Sequence, residues 1–311
     1  MWLDVTNLAE PLGGAVAIGN FDGVHLGHRA VVGHLHETGL PSAVLVPDPH
    51  PLTVLGHAQP LLTEMPLRGR LLKAAGVEHL VRLPFDRRMA DMEPDAFVQE
   101  IILERLRPRH VVVGFNFTYG RGAKGDVERL QASLQEAGVP LEVVAPTLFD
   151  GAVVSSSRVR RALGLGDLAL ATALLGRPHV VAGTVRPGKG RGRTIGFPTA
   201  NVATDAAVAL PAIGVYAVRC RIGDKVLDGV ANLGPRPTFA EGESLLEVHL
   251  LHFAGDLYGL RAEVAFIGRL RGQLRFQDAD ALRRQIGEDA LAAEEMLGVA
   301  TAGWDMLGWP G

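Results

Sequence analysis

Two histidines follow a glycine-punctuated loop near the start of the chain. His25 and His28 are three residues apart. The apolar run 15–18 before them predicts a buried strand, and the periodic segment 28–37 predicts a helix. A strand, a glycine loop and a helix N-terminus together offer backbone N–H groups and a positive helix end to an anion. Because residues three apart share one helix face, the spacing predicts that both histidines bind a polyphosphate.

Two other interpretations of this pair are open. Each histidine by itself fits an ordinary loop residue beside a tight turn. A metal-binding pair is disfavoured, because zinc sites use three or four ligands and the sequence suggests no third histidine or cysteine nearby.

Three further polar segments of the first half favour a nucleotide site. Asp48 ends the second predicted strand, and Asn116 follows a later one. Ser156 and Ser157 begin a predicted helix from which Arg160 projects, and hydroxyl groups, helix N–H groups and a guanidinium together bind phosphate well. The alternatives are a strand-ending proline turn, an aromatic loop packed on the core, and an ordinary helix cap with solvated arginines.

The second half carries a different set of candidates. Thr199 and Asn201 are two residues apart, so their oxygens face the same way on an extended segment. Oxygen ligands suit Mg²⁺; a proline turn with exposed polar residues is the alternative. Glu247 lies in a segment that alternates like a half-buried strand, where it is either a catalytic group or an exposed acid on the polar face.

A near match to a phosphate-binding loop occurs at 183–190. The spacing of glycines and lysine fits, but Gly190 replaces the Ser or Thr that holds magnesium, and no helix pattern follows. We therefore predict a basic, glycine-rich loop between strands, in which Gly188 and its neighbours bind phosphate through backbone N–H groups.

The predicted secondary structure that positions these residues differs between the two halves of the chain. In the first half, apolar runs alternate with helical segments, which predicts a parallel sheet covered on both faces and a ligand site beyond the carboxyl ends of its strands. The predicted strands are 15–18, 42–46, 79–83, 110–113 and 141–144, and the predicted helices are 28–37, 67–75, 94–105 and 127–136.

After about residue 154, strands dominate. Helices are predicted at 156–163 and 167–175, strands at 214–222, 225–231, 245–253 and 260–267, and a closing helix at 279–297. Closely spaced strands with Gly/Pro-rich turns predict a small antiparallel barrel with a C-terminal helix. We place the domain boundary after residue 176, giving domains 1–176 and 177–311.

Composition narrows the function classes. The 311 residues are 47% hydrophobic, so two folded domains can bury substantial cores. The net charge of −3 argues against a nucleic-acid binder. Cys220 is the only cysteine, which excludes a disulfide scaffold and predicts a buried thiol. No apolar run reaches membrane-span length and no signal peptide is indicated, so we expect a cytoplasmic protein acting on small molecules.

The motifs resemble those of one family in their expected order. The HxGH spacing is that of the nucleotidylyltransferase superfamily, and the segment 19–28 (GNFDGVHLGH) resembles the first module of the bacterial bifunctional riboflavin kinase/FAD synthetases. Segments 113–120, 154–160, 196–201 (GFPTAN) and 245–251 (LLEVHLL) are similar to later motifs of that family.

The resemblance implies a Rossmann-like nucleotidylyltransferase domain followed by a riboflavin kinase barrel. It also implies two reactions: ATP phosphorylates riboflavin to FMN, and ATP then adenylylates FMN to FAD with release of pyrophosphate. Magnesium is the implied cofactor.

The resemblance also implies residue roles. Glu247 is the implied base of the kinase, and His25, His28 and Asn116 are the implied catalytic residues of the adenylyltransferase. Flavin binding is implied for Asn116 and Arg271, and Mg²⁺ binding for Thr199 and Asn201. Nucleotide or phosphate binding is implied for Gly19, Phe21, Asp22, Gly23, Gly27, Asp48, Ser156, Ser157, Arg160, Gly188, Gly196 and Pro198.

Two positions depart from the family pattern. Pro47 stands where an aromatic residue is usual, and Phe115 stands where an acidic residue is common. Two alternative functions therefore stay open: a riboflavin kinase with a degenerate first domain, and a non-catalytic regulator that binds flavin or nucleotide.

Overall fold

A computed structural model describes residues 1–187, 196–235 and 244–299. Contacts divide the chain into two compact units, one formed by residues 1–59 with 64–156 and the other by residues 60–63 with 157–311.

The first unit is built on a six-stranded parallel sheet. Its strands are β1 (Trp2–Asp4), β2 (Ala15–Ile18), β3 (Ser42–Asp48), β4 (His79–Pro84), β5 (His110–Gly114) and β6 (Leu141–Val144). All five neighbouring pairs are parallel. This confirms the predicted parallel sheet. Strand β1 was not predicted, because three residues at a sheet edge are too few to show a periodicity.

Helices connect these strands. They are α1 (Leu26–Glu37), α2 (Pro51–Val54), α3 (Met65–Ala74), α4 (Arg87–Ala90), α5 (Pro94–Ala96), which continues as a π-helix (Phe97–Leu106), and α6 (Val127–Glu136). Two 3₁₀ turns (Val5–Asn7 and Arg121–Ala123) and a hairpin of β7 (Leu148–Phe149) and β8 (Ala152–Val153) complete this part. Apolar residues of the strands, the π-helix and α6 pack in one core.

The strand order places a switch point in the middle of this sheet. The order is β1-β4-β3-β2-β5-β6, so the chain proceeds from β2 through β3 to β4 on one side and then through β5 to β6 on the other. Ligands of open α/β sheets bind beyond the carboxyl ends of the strands at such a point. The loops that follow β2 and β5 both begin there.

The second part of the chain forms a closed antiparallel barrel. After α7 (Ser156–Leu165) and α8 (Leu168–Leu175) come β9 (His179–Arg186), β10 (Ala200–Thr204), β11 (Gly214–Ile222), β12 (Lys225–Pro235), β13 (Ser244–Leu250), β14 (Arg261–Arg271) and α9 (Ala279–Val299). The barrel order is β10-β13-β12-β11-β14-β9. Helix α9 packs Ala293 and Leu297 against the barrel. The predicted barrel and closing helix are confirmed.

The barrel interior is filled by side chains. Tyr216 and Phe266 are both fully buried, and their rings meet edge to face at 5.3 Å. Cys220 is buried, as predicted, and burial raises the pKa of its thiol to about 12. Gly183 lies within β9, where a Cβ would stand 2.5 Å from the carbonyl oxygen of Ala203. The near match to a phosphate-binding loop therefore begins inside a strand.

Among the helices of the described residues, none combines the length and the apolar character needed to cross a membrane.

Candidate functional sites

The loop between β2 and α1 has a strained backbone. Phe21 and Val24 adopt left-handed φ angles of 48° and 44° on either side of Gly23, whose φ is 90°. Such angles cost a non-glycine residue about 1–3 kcal/mol and persist only where the surroundings impose them. Here the N–H of Val24 donates to the carbonyl oxygen of Phe21, whose side chain is fully buried. The loop is thus held in a conformation that the local sequence disfavours.

A buried ion pair between Arg68 and Asp22 holds the loop between β2 and α1. The guanidinium of Arg68, on α3, donates to the Asp22 carboxylate at 3.2 Å and to the carbonyl oxygen of Asn20 at 3.1 Å. The Arg68 and Asp22 side chains are 2% and 1% exposed. Ser156 adds a third tether, because its hydroxyl donates to the carbonyl oxygen of Asp22 at 2.8 Å.

Replacing Arg68 with alanine is expected to destabilise the sheet unit by about 3–5 kcal/mol, because it removes the guanidinium that pairs with the buried Asp22 carboxylate. Urea unfolding followed by circular dichroism measures the change. Arg70→Ala is the matched control, since Arg70 is exposed on the same helix. An equal loss of stability in the two variants would contradict the role assigned to the ion pair.

The two histidines stack at the start of α1. His25 is the N-cap of the helix, and its Nδ1 accepts the N–H of His28. The two rings are nearly parallel, with centroids 3.6 Å apart, and Phe21 packs on the His28 ring at 5.2 Å. At Gly27 a Cβ would stand 3.3 Å from the His25 ring, so glycine leaves room for the stack. The predicted sharing of one face is therefore observed.

The side chain of His28 is unusual in its pKa and in its hydrogen bonding. Burial, and then the charges of His25 and Arg68, lower the pKa of His28 well below its usual range. Its Nδ1 is enclosed and has no hydrogen-bond partner among the described residues. A buried polar atom without a partner is costly unless a ligand or water satisfies it. The imidazole is therefore neutral at neutral pH in the unliganded protein.

Asn116 and Asp48 flank the switch point. Asn116 is exposed in the loop after β5, the strand next to β2. Asp48 ends β3 on the other side of β2, and Arg82 lies 3.7 Å from its carboxylate. His50 caps α2 by accepting the N–H of Leu52. Parallel strands bring Asn116, Asp48 and the glycine loop to one edge of the sheet, as expected.

The serine–arginine segment divides between the two contact units. Ser156 belongs to the first, whereas Ser157 and Arg160 belong to the second. The Nε of Arg160 donates to the carbonyl oxygen of Pro60. The phosphate-binding roles of these three residues stay predictions.

In the barrel, three polar side chains form a row across neighbouring strands. Glu247 on β13 pairs in register with Asn201 on β10 and with Asn232 on β12. Residues directly opposite in antiparallel strands share one face. The side-chain amide of Asn232 donates to Oε2 of Glu247 at 3.4 Å. The pairing brings the predicted base beside the predicted metal ligand Asn201.

The segment before β10 is held by a histidine of β13. The carbonyl oxygen of Pro198 lies 2.8 Å from Nδ1 of His249, and Phe197 packs edge-on against the same ring at 5.3 Å. Thr199 and Asn201 therefore follow an anchored turn, with hydroxyl and amide oxygens two residues apart. These oxygens are ligands of the kind that Mg²⁺ prefers.

Arg271 is engaged in an ion pair. Its guanidinium forms two hydrogen bonds with the Asp289 carboxylate of α9, at 2.8 and 2.7 Å. Two residues further on, Gln273 donates to the side-chain oxygen of Asn232 at 2.7 Å. The flavin-binding role of Arg271 stays a prediction. Of the predicted phosphate-binding residues of the second half, Gly188 lies outside the described residues. Pro198 lies in the anchored turn, and Gly196 precedes it.

Two family models match the chain in succession. One, described as FAD synthetase, matches residues 8–158, and the other, described as riboflavin kinase, matches residues 175–297. The bifunctional riboflavin kinase/FMN adenylyltransferase of Escherichia coli K12 is 41% identical over 304 residues, which cover 95% of this chain and 97% of the relative.

The chain belongs to the bifunctional riboflavin kinase/FMN adenylyltransferase family.

A second relative and a solved structure are also similar to the chain. The Bacillus subtilis member of the family is 37% identical over 285 residues, which cover 88% of this chain and 89% of the relative. A crystal structure from Streptococcus pneumoniae, described as a macrolide-efflux protein, superposes with a TM-score of 0.84 at 29% identity and covers 93% of this chain and 96% of that one.

The two departures from the family pattern differ in their surroundings. Pro47 is buried in β3, whereas Phe115 is 43% exposed in the loop after β5. The FAD synthetase match spans both positions. The comparisons therefore do not favour a kinase with a degenerate first domain or a non-catalytic regulator of this family.

Sequence reasoning missed three residues that position this family member's candidate site residues. Arg68 holds the glycine loop, His249 anchors the turn before Thr199, and Asn232 contacts Glu247. Arg68 had a weak signal, a basic residue on the apolar face of a helix. For the other two the decisive information is strand register, which one sequence does not contain.

Proposed function

We propose that the sheet unit carries out adenylyl transfer and the barrel carries out phosphorylation, as domains 1–176 and 177–311. The observation that carries the first assignment is the His25–His28 stack at the switch point, with a strained loop and an enclosed Nδ1. The family match supplies the two reactions: riboflavin to FMN, and FMN to FAD.

In the adenylyl transfer, a phosphate oxygen of FMN attacks the α-phosphorus of ATP. The bond from that phosphorus to the bridging oxygen breaks, and pyrophosphate leaves. No protein nucleophile is needed, so the protein contributes positioning and electrostatic stabilisation. His25 and His28 bind the triphosphate, with N–H groups of the loop from Gly19 to Gly27, and Asn116 orients the flavin substrate.

In the phosphorylation, the terminal ribityl hydroxyl of riboflavin attacks the γ-phosphorus of ATP, and ADP leaves. Glu247 accepts the hydroxyl proton. Thr199 and Asn201 hold Mg²⁺, which offsets negative charge on the phosphates when it is bound. The row of Asn201, Glu247 and Asn232 supports these roles, because it gathers the base and a metal ligand on one face.

We place the enzyme in the cytoplasm, where its substrates are small molecules. The single cysteine supports this location, because disulfide-rich chains are typical of oxidising compartments. The net charge of −3 does not favour nucleic acid as a partner.

The full chain incubated with riboflavin, ATP and Mg²⁺ is expected to produce FMN first and FAD afterwards, and chromatography separates the two. With FMN as the substrate, FAD and pyrophosphate are expected in equal amounts. Chelation of divalent ions with EDTA is expected to stop FMN formation and excess Mg²⁺ to restore it, because the phosphorylation uses the Thr199–Asn201 ion.

Each alternative function predicts a different result in this assay. Accumulation of FMN without FAD would favour the single-activity kinase. Binding of flavin and ATP without any product would favour the regulator.

A further inference from the structure

Three metal-ligating side chains lie together, with a fourth close to one of them, at the end of the sheet opposite the candidate adenylyltransferase site. His34 and Glu37 lie in the last turn of α1, His110 begins β5, and Glu142 is the second residue of β6. The catalytic loops follow the carboxyl ends of β2 and β5, whereas this cluster lies where β5 and β6 begin. The adenylyl transfer mechanism uses none of its members.

The separations within the cluster suit a small ion. The Nδ1 of His34 lies 3.3 Å from Oε2 of Glu37, and the Nε2 of His110 lies 3.6 Å from Oε2 of Glu142. Two ligands of a tetrahedral zinc ion, with bonds of about 2.0–2.2 Å, are about 3.3–3.6 Å apart. One ligand atom from each of His34, Glu37 and Glu142 lies within 4.8 Å of the other two.

The remaining contacts show how the cluster is satisfied without an ion. His34 Nδ1 and Glu142 Oε1 are 2.6 Å apart, which is a hydrogen bond. The Nε2 of His110 is enclosed and has no hydrogen-bond partner within the described residues, although Glu142 is close. An ion bound between His34, Glu37 and Glu142 would replace the first of these contacts.

We propose that His34, Glu37 and Glu142 bind a divalent transition-metal ion, of which zinc is the best match. An imidazole nitrogen and two carboxylates suit zinc, whereas Mg²⁺ and Ca²⁺ favour all-oxygen sites. The two elements that supply the ligands, α1 and β6, are separate in sequence. The ion therefore joins the end of α1 to β6, and its contribution to the stability of the folded state grows with the logarithm of its affinity.

Isothermal titration of the metal-stripped full chain with ZnCl₂ tests the proposal. The wild type is expected to bind one zinc ion that His34→Gln and Glu142→Gln bind at least about tenfold more weakly. His36→Gln is the matched control, because His36 is an exposed histidine of the same helix outside the cluster. It is expected to bind zinc as the wild type does, and all four proteins are expected to form FAD at the same rate.

Two results would overturn the proposal: no zinc binding by the wild type, or the same isotherm in the wild type and both cluster variants. Co²⁺ provides a second measurement, since four-coordinate Co²⁺ gives visible absorption bands that the cluster variants should lack. If circular dichroism shows that either variant is unfolded, Glu37→Gln replaces it, because Glu37 is 71% exposed. Weaker zinc binding by folded Glu37→Gln supports the proposal, and unchanged affinity overturns it.

Discussion

Replacing His28 with alanine is expected to slow FAD formation from FMN and ATP by about 10²–10³-fold and to leave FMN formation from riboflavin unchanged. The loss corresponds to about 3–4 kcal/mol, the usual cost of removing one preorganised donor that stabilises charge in a transition state. His28 has the features of such a donor, because its Nδ1 is enclosed and its ring is fixed between His25 and Phe21. Initial rates of the two half-reactions, measured separately, give the comparison.

The low pKa of His28 is consistent with binding of a negatively charged ligand. Burial, followed by electrostatic interactions with His25 and Arg68, keeps the pKa of His28 low in the unliganded protein. The triphosphate brings negative charge to the same place and offsets those effects. In the proposed mechanism, His28 binds ATP as a hydrogen-bond donor and gains positive character as charge builds up on the leaving pyrophosphate.

His36→Ala is the control for this variant, because His36 lies exposed on the same helix. It is expected to leave both rates unchanged. Circular dichroism establishes that His28→Ala is folded. If a folded His28→Ala lost both reactions, or neither, the assignment of His28 to adenylyl transfer would be wrong.

Replacing Glu247 with alanine is expected to have the opposite selectivity. FMN formation should fall by about 10²–10⁴-fold, the usual contribution of a general base, while FAD formation from supplied FMN continues. Glu247 is fixed for this role by its contact with Asn232 and by its register opposite Asn201. Chromatographic rates with riboflavin and then with FMN as substrate measure the two effects.

Glu247→Gln separates proton transfer from packing. The amide keeps the size of the side chain and removes its basicity, so it is expected to lose FMN formation as the alanine variant does. Asp224→Ala removes an exposed carboxylate from the β11–β12 turn of the same barrel and should change neither rate. Full activity of Glu247→Gln would show that Glu247 is not the base.

The effects of the His28 and Glu247 variants on the two reactions show whether one site assignment is wrong or both are. A variant that stops only its own reaction supports two sites with separate residues. Zinc binding at the His34 cluster is independent of both outcomes, because none of its ligands takes part in either reaction.

The sequence alone determined the order and type of most elements. Apolar periodicity and glycine positions are local signals, so they predicted the strand at Ala15–Ile18 and the helix that follows it. The same local logic placed His25 and His28 together, because a helix start fixes the relation of residues three apart. Short elements such as Trp2–Asp4 were not predicted, because three residues are too few to show a hydrophobic periodicity.

Strand order and register were decided only by the tertiary structure. The switch point between β2 and β5 arises from which strands pair, and that depends on contacts far apart in sequence. The Arg68–Asp22 ion pair, the row of Asn201, Glu247 and Asn232, and the His34 cluster each join segments separated by 15 or more residues. The sequence specified the chemical groups, and the packing of distant segments decided which of them meet.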